Sequence, residues 1–369
     1  MLSVQAESFS LQTLATLWRE IFLQPLLTAA LLLTSVKRPQ QVEQALKLFS
    51  QNPRALPILK AGLKVLIALG TLYRVNKYLS KRALNNHIRD SWDWRKEIIL
   101  ITGGSSGIGE LMVRKFAKLG IKVIAVDLKP PSKPFPVGVT FYQLDLTDAH
   151  AIREHAQKIR EEVGHPTVLI NNAGIGAGMS ILDEPVETIR RTFDVNIIAH
   201  FHLVKEFLPQ MIERDHGHVV TLASVASFIT LASNVDYSCT KTAALAFHEG
   251  LAQELRHRYD ATRVRTTVIH PTWIRTPLID ELLRKPGFND IVLEPETVAE
   301  TVVKQVLRGE TEHSLARFTL DCIYDDPTEG PESSAWTKLD EVLLRLDKTE
   351  DRISSGLQLR TSLATSESK

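Results

Sequence analysis

The sequence predicts an α/β fold with a parallel, doubly wound sheet, and two observations support that prediction. Short apolar runs rich in β-branched residues alternate with helical stretches through the middle of the chain. The first of these runs leads directly into a glycine-rich turn, residues 102–109, that opens a helix. Alternating strands and helices form a parallel sheet with right-handed crossovers. With 369 residues and 44% hydrophobic content, the chain has enough apolar material for one large core.

About seven strands are predicted for this sheet. Their expected positions, in chain order, are residues 97–103, 122–127, 139–145, 167–171, 217–223, 263–269 and 316–323. The proline-containing segment KPPSKPFP connects the second strand to the third. The predicted domain organisation is an N-terminal helical region at 1–90, an α/β domain at 91–325 and a polar C-terminal tail at 326–369. We assign no function to the tail.

The segment EIILITGGSSGIG places a strand, a glycine turn and a helix N-terminus in direct succession. In that geometry, backbone N–H groups and the positive end of the helix dipole hold a pyrophosphate. A second apolar strand, KVIAVDL, carries Asp127, 18 residues after Gly109. This separation and the carboxylate suit the hydroxyls of an adenosine ribose. The pattern therefore predicts a dinucleotide site.

A serine stands 13 residues ahead of a Tyr-x-x-x-Lys motif in the segment SVASFITLASNVDYSCTK. If Tyr237 and Lys241 share a helix, their spacing places both side chains on one face. We expect the ammonium to lower the tyrosine pKa from about 10 toward the range useful for a general acid and base. Ser224, at the end of the preceding strand, would donate to the same substrate oxygen. These groups would handle the proton that accompanies a hydride transfer.

In order, spacing and strand context, these motifs resemble the short-chain dehydrogenase/reductase family from about residue 97 to about residue 308. The motifs that carry the resemblance are TGGSSGIG at 102–109, DL at 145–146, NNAG at 171–174, Asn196, Ser224 and YSCTK at 237–241. The resemblance implies a Rossmann-type sheet in a catalytic domain that binds NAD(P). It also implies a catalytic tetrad of Asn196, Ser224, Tyr237 and Lys241, in which the asparagine holds a water that relays protons from the lysine.

The resemblance further implies which residues hold the cofactor. Asp145 would face the adenine, Asn172 and Ala173 would line the cofactor floor, and Pro271 and Thr276 match the stretch that holds the nicotinamide amide. The family's Pro-Gly after the sixth strand is replaced here by Pro-Thr, so the shape of this loop stays open. The full expected set is Thr102, Gly103, Ser105, Ser106, Gly107, Ile108, Gly109, Asp127, Asp145, Leu146, Asn172, Ala173, Gly174, Asn196, Tyr237, Lys241, Pro271 and Thr276.

NAD(H) is favoured over NADP(H), because the Asp127 carboxylate repels a 2′-phosphate and the GGSSGIG turn has no arginine. Lys129 keeps NADP(H) open, since its ammonium would attract that phosphate. The histidines lack ligand spacing, so no metal is expected. Cys239 and Cys322 are the only cysteines, which excludes a disulfide framework and favours a reducing compartment. Cys239 is expected to be a small buried helix position.

The N-terminal region differs from the rest in charge and in apolar pattern. Residues 1–96 contain 14 Lys or Arg and 5 Asp or Glu, whereas the remainder contains 30 and 38. Nucleic acid is not expected as a partner, because the catalytic domain is acidic. The uncharged run at 21–36 has 16 residues, just short of a spanning helix, and residues 14–18 would extend it. A second apolar stretch, residues 55–79, contains Lys60 and Lys64 and is expected to lie at a membrane interface.

Three interpretations of this region compete. A cleavable signal peptide is disfavoured, because the apolar run begins 20 residues in and more apolar helix follows. A soluble helical cap over the catalytic domain stays open. Membrane attachment is favoured, because basic residues suit anionic headgroups on a cytoplasmic leaflet. We expect the protein at the endoplasmic reticulum or lipid droplets, with its catalytic domain in the cytosol.

A membrane region ahead of this catalytic domain resembles the retinol and 17-beta-hydroxysteroid dehydrogenase branch of the family. The expected function is therefore NAD(P)-dependent interconversion of a lipophilic alcohol and its aldehyde or ketone. The apolar segment 273–293 suits such a substrate and suits helix packing equally well. One alternative is a ketoreductase of a specialised biosynthetic pathway. An alternative of another class is a non-catalytic membrane or lipid-droplet scaffold, which the intact tetrad disfavours. A homo-oligomer is compatible with all of these.

Overall fold

The computed structural model describes residues 23–88, 90–284 and 292–316. The described residues up to His87 belong to one compact unit and those from Ile88 onward to another. Several sequence predictions lie outside the described residues: the helical extension at 14–18, most of the predicted seventh strand and the C-terminal tail.

The N-terminal unit consists of three helices, which are α1 Pro25–Lys37, α2 Pro39–Lys47 and α3 Ala55–Leu84. Helices α1 and α3 pack against each other, and small residues line the close contact. Thr28 and Ser35 of α1 are buried, and both hydroxyls donate to carbonyls of their own helix turn. A Cβ atom at Gly70 of α3 would lie 2.7 Å from the carbonyl oxygen of Leu23. Only glycine permits this approach of the two backbones.

Most large apolar side chains of this unit are exposed, although Leu63 of α3 is buried. Leu26, for example, is 80% exposed and Leu72 is 66% exposed. A water-soluble helix pair shows the opposite arrangement, with its apolar stripe buried and polar residues outside. Buried small and hydroxyl side chains with an apolar exterior are typical of helices that pack inside a bilayer.

Among the described residues, α3 is the one helix long and apolar enough to cross a membrane by length and composition. Its 30 residues span about 45 Å at ~1.5 Å per residue. Helix α1 begins at a proline and has 13 residues, which is too short. This differs from the sequence expectation, which gave the near-spanning role to the first apolar run and an interfacial role to the second. Lys60 and Lys64 led to the interfacial expectation for the second run. The helix nevertheless continues with apolar residues for about two turns beyond Lys64.

The catalytic unit is built on seven parallel strands in the order β3-β2-β1-β4-β5-β6-β7. The strands are β1 Ile98–Thr102, β2 Lys122–Asp127, β3 Val139–Gln143, β4 Val168–Asn171, β5 Gly217–Leu222, β6 Val264–Pro271 and β7 Glu312–Ala316. Every neighbouring pair is parallel. The predicted doubly wound parallel sheet is therefore confirmed. The seventh strand begins four residues before its predicted position, where Thr267 of β6 pairs with Glu312.

Helices cover both faces of this sheet. They are α4 Gly107–Lys118, α5 Ala149–Glu162, α6 Val186–Phe193, α7 Ala199–Glu213, α8 Val235–His257, α9 Asp280–Leu283 and α10 Pro295–Arg308. Successive residues of β1 alternate between two cores: Leu100 joins one, while Ile99 and Ile101 join the other. Because β1 is buried on both sides, its sequence reads as a continuous apolar run rather than an alternating one.

The segment that leads into β1 packs onto the catalytic unit. Trp92 and Trp94 stack at 5.2 Å between ring centroids and contact the second of the two cores. Trp92 lies directly on Gly309, where any Cβ would collide with the indole ring. His216 holds the same segment, with Nδ1 3.1 Å from Asp90 and Nε2 3.3 Å from Glu97. The two tryptophans are therefore packing residues of the catalytic unit.

Candidate active site

The glycine turn after β1 has the backbone conformation that a phosphate-binding turn requires. Gly103 and Gly107 have φ angles of +64° and +52°, in the left-handed region that favours glycine. A Cβ at Gly109 would collide with the carbonyl oxygen of Gly103. Ser106 precedes the first turn of α4 in an extended conformation. The N–H groups of that turn therefore point toward the carboxyl end of the sheet, where the helix dipole favours an anion.

The ends of β1 and β4 are joined across this turn by one threonine and one asparagine. Thr102 Oγ1 accepts hydrogen bonds from the backbone N–H groups of Asn172 and Ala173, both at 3.0 Å. Asn172 Nδ2 donates in return to the carbonyl oxygens of Thr102, at 2.8 Å, and Gly103, at 3.3 Å. These bonds hold the NNAG segment directly beside the glycine turn. That Asn172 and Ala173 line the floor of a cofactor site stays a prediction.

Asp127, at the end of β2, faces the same turn. Its Oδ2 accepts from the Ser105 N–H at 2.9 Å, and its Oδ1 accepts from the Lys129 N–H at 3.3 Å. Asp145 bonds locally, accepting at 2.9 Å from both the N–H and the hydroxyl of Thr147. The Ser105 hydroxyl is buried and lacks a hydrogen-bond partner among the described residues.

The residues present fit a dinucleotide cofactor. A Cβ at Gly103 or Gly109 would meet neighbouring backbone, so the turn keeps a bare backbone at the N-terminus of α4, where the buried Ser105 hydroxyl has no hydrogen-bond partner among the described residues. Thr276, predicted beside the nicotinamide amide, lies against the turn, with its Cγ2 3.5 Å from where a Gly107 Cβ would stand. Of the other predicted cofactor residues, Leu146 is buried and Ile108 packs against the second core, so their side chains support the site from below.

The predicted catalytic serine, tyrosine and lysine come together at the carboxyl end of β5. Ser224 follows that strand; its hydroxyl accepts from the Ala226 N–H at 3.1 Å and lies 3.3 Å from the Pro271 carbonyl oxygen. Tyr237 and Lys241 are one turn apart on α8, and the lysine Nζ lies 5.5 Å from the centroid of the tyrosine ring. The Lys241 ammonium donates to the Leu222 carbonyl oxygen at 2.7 Å.

The expected lowering of the tyrosine pKa is wrong for this structure. Burial raises the pKa of Tyr237 to about 12, and a hydrogen bond with Ser224 only partly opposes that rise. Burial also lowers the pKa of Lys241 to about 8. The physical reason is that the surroundings of the phenol remove part of the hydration that the phenolate would have in water, although Tyr237 is only half-buried by surface area. At neutral pH Tyr237 is therefore a neutral phenol, a proton donor, beside a charged lysine.

Asn196 lies in a five-residue π-helix, residues 194–198, between α6 and α7. Its Oδ1 accepts from the Ile175 N–H at 2.8 Å, and its Nδ2 donates to the Ile175 carbonyl at 2.9 Å and to Thr240 Oγ1 at 3.0 Å. The widened turn thus links the NNAG loop to α8, as single π-turns at functional sites often do. A Cβ at Gly174 would stand 3.4 Å from the Lys241 Nζ, so glycine keeps this space open. The water relay stays a prediction.

Sequence reasoning missed three supports of this site. His270 is buried and its Nδ1 lies 3.1 Å from the Ser224 carbonyl oxygen. Ser227 donates to the Lys241 carbonyl at 2.8 Å. Thr240 donates to the Tyr237 carbonyl at 2.7 Å while it accepts from Asn196. Thr240 stands inside the YSCTK motif, which was the available signal. Cys239 of the same motif is exposed, which corrects the expectation of a buried position.

We predict that Thr102→Val destabilises the protein more than Thr102→Ser does. Valine matches the shape of threonine but leaves two N–H groups at the β1–β4 junction without an acceptor, at about 1–3 kcal/mol each. Serine keeps the hydroxyl and removes one methyl group, for a loss of about 1 kcal/mol. Urea unfolding of both variants measures the difference. Equal free energies of unfolding for the two variants would show that the hydroxyl does not hold the junction.

Comparison with known proteins agrees with this geometry. The short chain dehydrogenase family matches residues 97–286. Dehydrogenase RED2 of Cochliobolus heterostrophus is 44% identical over 207 residues, which cover 55% of this chain and 78% of that protein. Estradiol 17-beta-dehydrogenase 11 of Mus musculus is 36% identical over 220 residues, covering 57% of this chain and 72% of that protein.

Among solved structures, 4-hydroxyisoleucine dehydrogenase complexed with NADH shares the fold. The alignment covers 60% of this chain and 96% of that one, at 24% identity and a TM-score of 0.55. The resemblance to the retinol and 17-beta-hydroxysteroid dehydrogenase branch is confirmed by relatives that carry those names. The family match spans more than half of the chain and contains every residue of the catalytic cluster described above. The chain belongs to the short-chain dehydrogenase family and is an NAD(P)-dependent oxidoreductase.

Proposed function

We propose that this protein interconverts a lipophilic alcohol and its aldehyde or ketone, with Tyr237 as the general acid and base. The observation that carries the proposal is the convergence of three groups beside the glycine turn. They are the Tyr237 phenol, the Ser224 hydroxyl and the Lys241 ammonium. A bound nicotinamide would supply or accept the hydride.

Each side chain has a separate task in this proposal. In the direction of reduction, Tyr237 donates its proton to the substrate oxygen as negative charge develops there, and Ser224 donates a hydrogen bond to the same oxygen. Lys241 provides a positive charge that would stabilise the resulting phenolate. Oxidation uses the same contacts in reverse, with the phenolate accepting the alcohol proton.

Two lines support a lipophilic substrate. The segment after β6 places Ile274 and Ile279 in buried positions, while Leu278 beside them is 45% exposed. Relatives of this chain are named for estradiol and retinol, which are both largely apolar alcohols. The proposed substrate is therefore a molecule with one hydroxyl or carbonyl group on a hydrocarbon frame.

We predict that Tyr237→Phe lowers turnover by at least ~10²-fold, the usual effect of losing a general acid or base. NADH affinity should change little, because the ring and its packing are kept. Tyr259→Phe, at a 43% exposed tyrosine on the same chain, is the matched control and should retain full activity. Turnover is measured with a panel of apolar alcohols, aldehydes and ketones. Near wild-type turnover in Tyr237→Phe would show that another group moves the proton.

NAD(H) is the cofactor that we propose. The Asp127 carboxylate is oriented by the Ser105 and Lys129 N–H groups, and in that position it suits ribose hydroxyls and repels a 2′-phosphate. We predict that NADH binds more tightly than NADPH and that Asp127→Asn narrows the difference, because asparagine keeps the shape and removes the charge. Fluorescence titration of both cofactors measures the ratio. Tighter binding of NADPH to the wild-type protein would overturn this assignment.

We also propose that the N-terminal unit attaches the protein to a membrane, with the catalytic unit in the cytosol at the endoplasmic reticulum or at lipid droplets. The support is the arrangement of α1 and α3, which bury Thr28, Ser35 and Gly70 while most of their large apolar side chains, Leu63 excepted, are exposed. A soluble helical cap would bury those apolar side chains. The second support is the excess of basic residues in this region, which suits anionic headgroups.

We predict that the full-length protein sediments with membranes and stays there in high salt, since burial of apolar surface is insensitive to screening. Detergent should release it. A chain that begins at Ile88, where the catalytic unit begins, should lose the sedimentation and still bind NADH. Recovery of the full-length protein in a high-speed supernatant without detergent would contradict membrane attachment and favour the helical cap.

A further inference from the structure

Arg114 connects the cofactor-binding helix α4 to the proline-rich loop between β2 and β3. Its guanidinium donates to Glu110 through Nε, at 2.8 Å, and through Nη2, at 2.7 Å. The same group donates to the backbone carbonyls of Lys133, at 3.0 Å, and Pro134, at 3.2 Å. It also lies 5.4 Å from the ring centroid of Phe135. One side chain thus engages three consecutive residues of the loop.

The loop at 129–136 depends on outside donors because four of its eight residues are proline. Proline has no backbone N–H, so the carbonyls of such a segment find few partners within it. A guanidinium presents five donors in a planar fork and can bond two neighbouring carbonyls and a carboxylate together. A lysine ammonium has all its donors on one nitrogen atom, so it does not match that arrangement.

The beginning of this loop lies at the carboxylate that we assign to the adenosine ribose. The Lys129 N–H donates to Asp127 Oδ1 at 3.3 Å, and Gln143 Nε2 donates to the Leu128 carbonyl at 3.0 Å. The segment is therefore fixed at its start by Asp127 and Gln143 and at its far end by Arg114. The loop therefore fixes the backbone position of Lys129, which is the cation nearest in sequence to the proposed ribose site.

We infer that Arg114, oriented by Glu110, is a positioning residue for the adenosine half of the cofactor. It holds the 129–136 loop against α4, and the loop in turn keeps the Asp127 carboxylate directed at the ribose hydroxyls. The inference rests on the proposed nicotinamide cofactor and adds a determinant of affinity that lies outside the glycine turn. Arg114 itself does not touch the reacting atoms.

The test separates the two halves of the cofactor. Binding of NADH and of ADP-ribose, and the rate with reduced nicotinamide mononucleotide as hydride donor, are measured for full-length wild-type protein and for three variants. The variants are Arg114→Ala, Arg114→Lys and, as the control, Arg153→Ala at an exposed arginine of α5. We expect Arg114→Ala to weaken NADH and ADP-ribose by the same factor, about five- to tenfold, which corresponds to the loss of one or two hydrogen bonds.

The mononucleotide rate should stay at the wild-type value in every variant, because that donor lacks the adenosine half. Arg114→Lys should bind NADH and ADP-ribose more weakly than wild type, since charge alone does not restore the fork, and Arg153→Ala should match wild type. Unchanged affinities in Arg114→Ala would overturn the inference, as would an equal fall in the mononucleotide rate, which would indicate general damage to the fold. Wild-type protein that binds neither NADH nor ADP-ribose would instead overturn the proposed cofactor, and the inference with it.

Discussion

The parallel pairing of β1 with β4 is the constraint on which the rest of the catalytic unit depends. At this pair the strand order reverses direction along the sheet, because β2 and β3 lie on one side of β1 and the later strands lie on the other side of β4. The loops that leave the two strands diverge and open a crevice between them, where open α/β sheets bind ligands. Thr102 closes the bottom of that crevice with hydrogen bonds to Asn172 and Ala173. The position of the glycine turn, of Asn196 and of α8 all follow from this junction.

Burial sets the chemical state of the catalytic groups. The interior raises the pKa of Tyr237 to about 12 and lowers that of Lys241 to about 8, so both groups are driven toward their neutral forms. Under the mechanism proposed above, the neutral Tyr237 phenol would donate its proton when the substrate oxygen gains negative charge. The Lys241 Nζ is bonded to the Leu222 carbonyl oxygen.

The N-terminal unit follows a different physical rule from the catalytic unit. In the sheet, apolar side chains are buried because water surrounds the domain, and β1 is covered on both faces. In the α1–α3 pair, Thr28, Ser35 and Gly70 are buried while most leucines are exposed. Small residues let the helices approach closely, and the Thr28 and Ser35 hydroxyls donate to carbonyls of their own helix turn. This arrangement is the basis of the membrane attachment that we propose for this unit.

The sequence by itself determined the parallel α/β class and the positions of the first six strands, and it predicted the members of the catalytic cluster. Short sequence patterns are enough to predict these features. A strand, a glycine turn and a helix N-terminus can be recognised within about a dozen residues, and the spacing of Tyr237 and Lys241 places both on one helix face. The tertiary structure alone decided the proton affinity of Tyr237, which depends on how completely its surroundings exclude water. It alone showed the hydrogen-bond partners of Asn196 and the contact of Arg114 with a loop 19 residues away in sequence. Among the described residues, it also identified α3 as the one helix of spanning length. Such features arise from contacts between distant segments and from burial, which local periodicity does not encode.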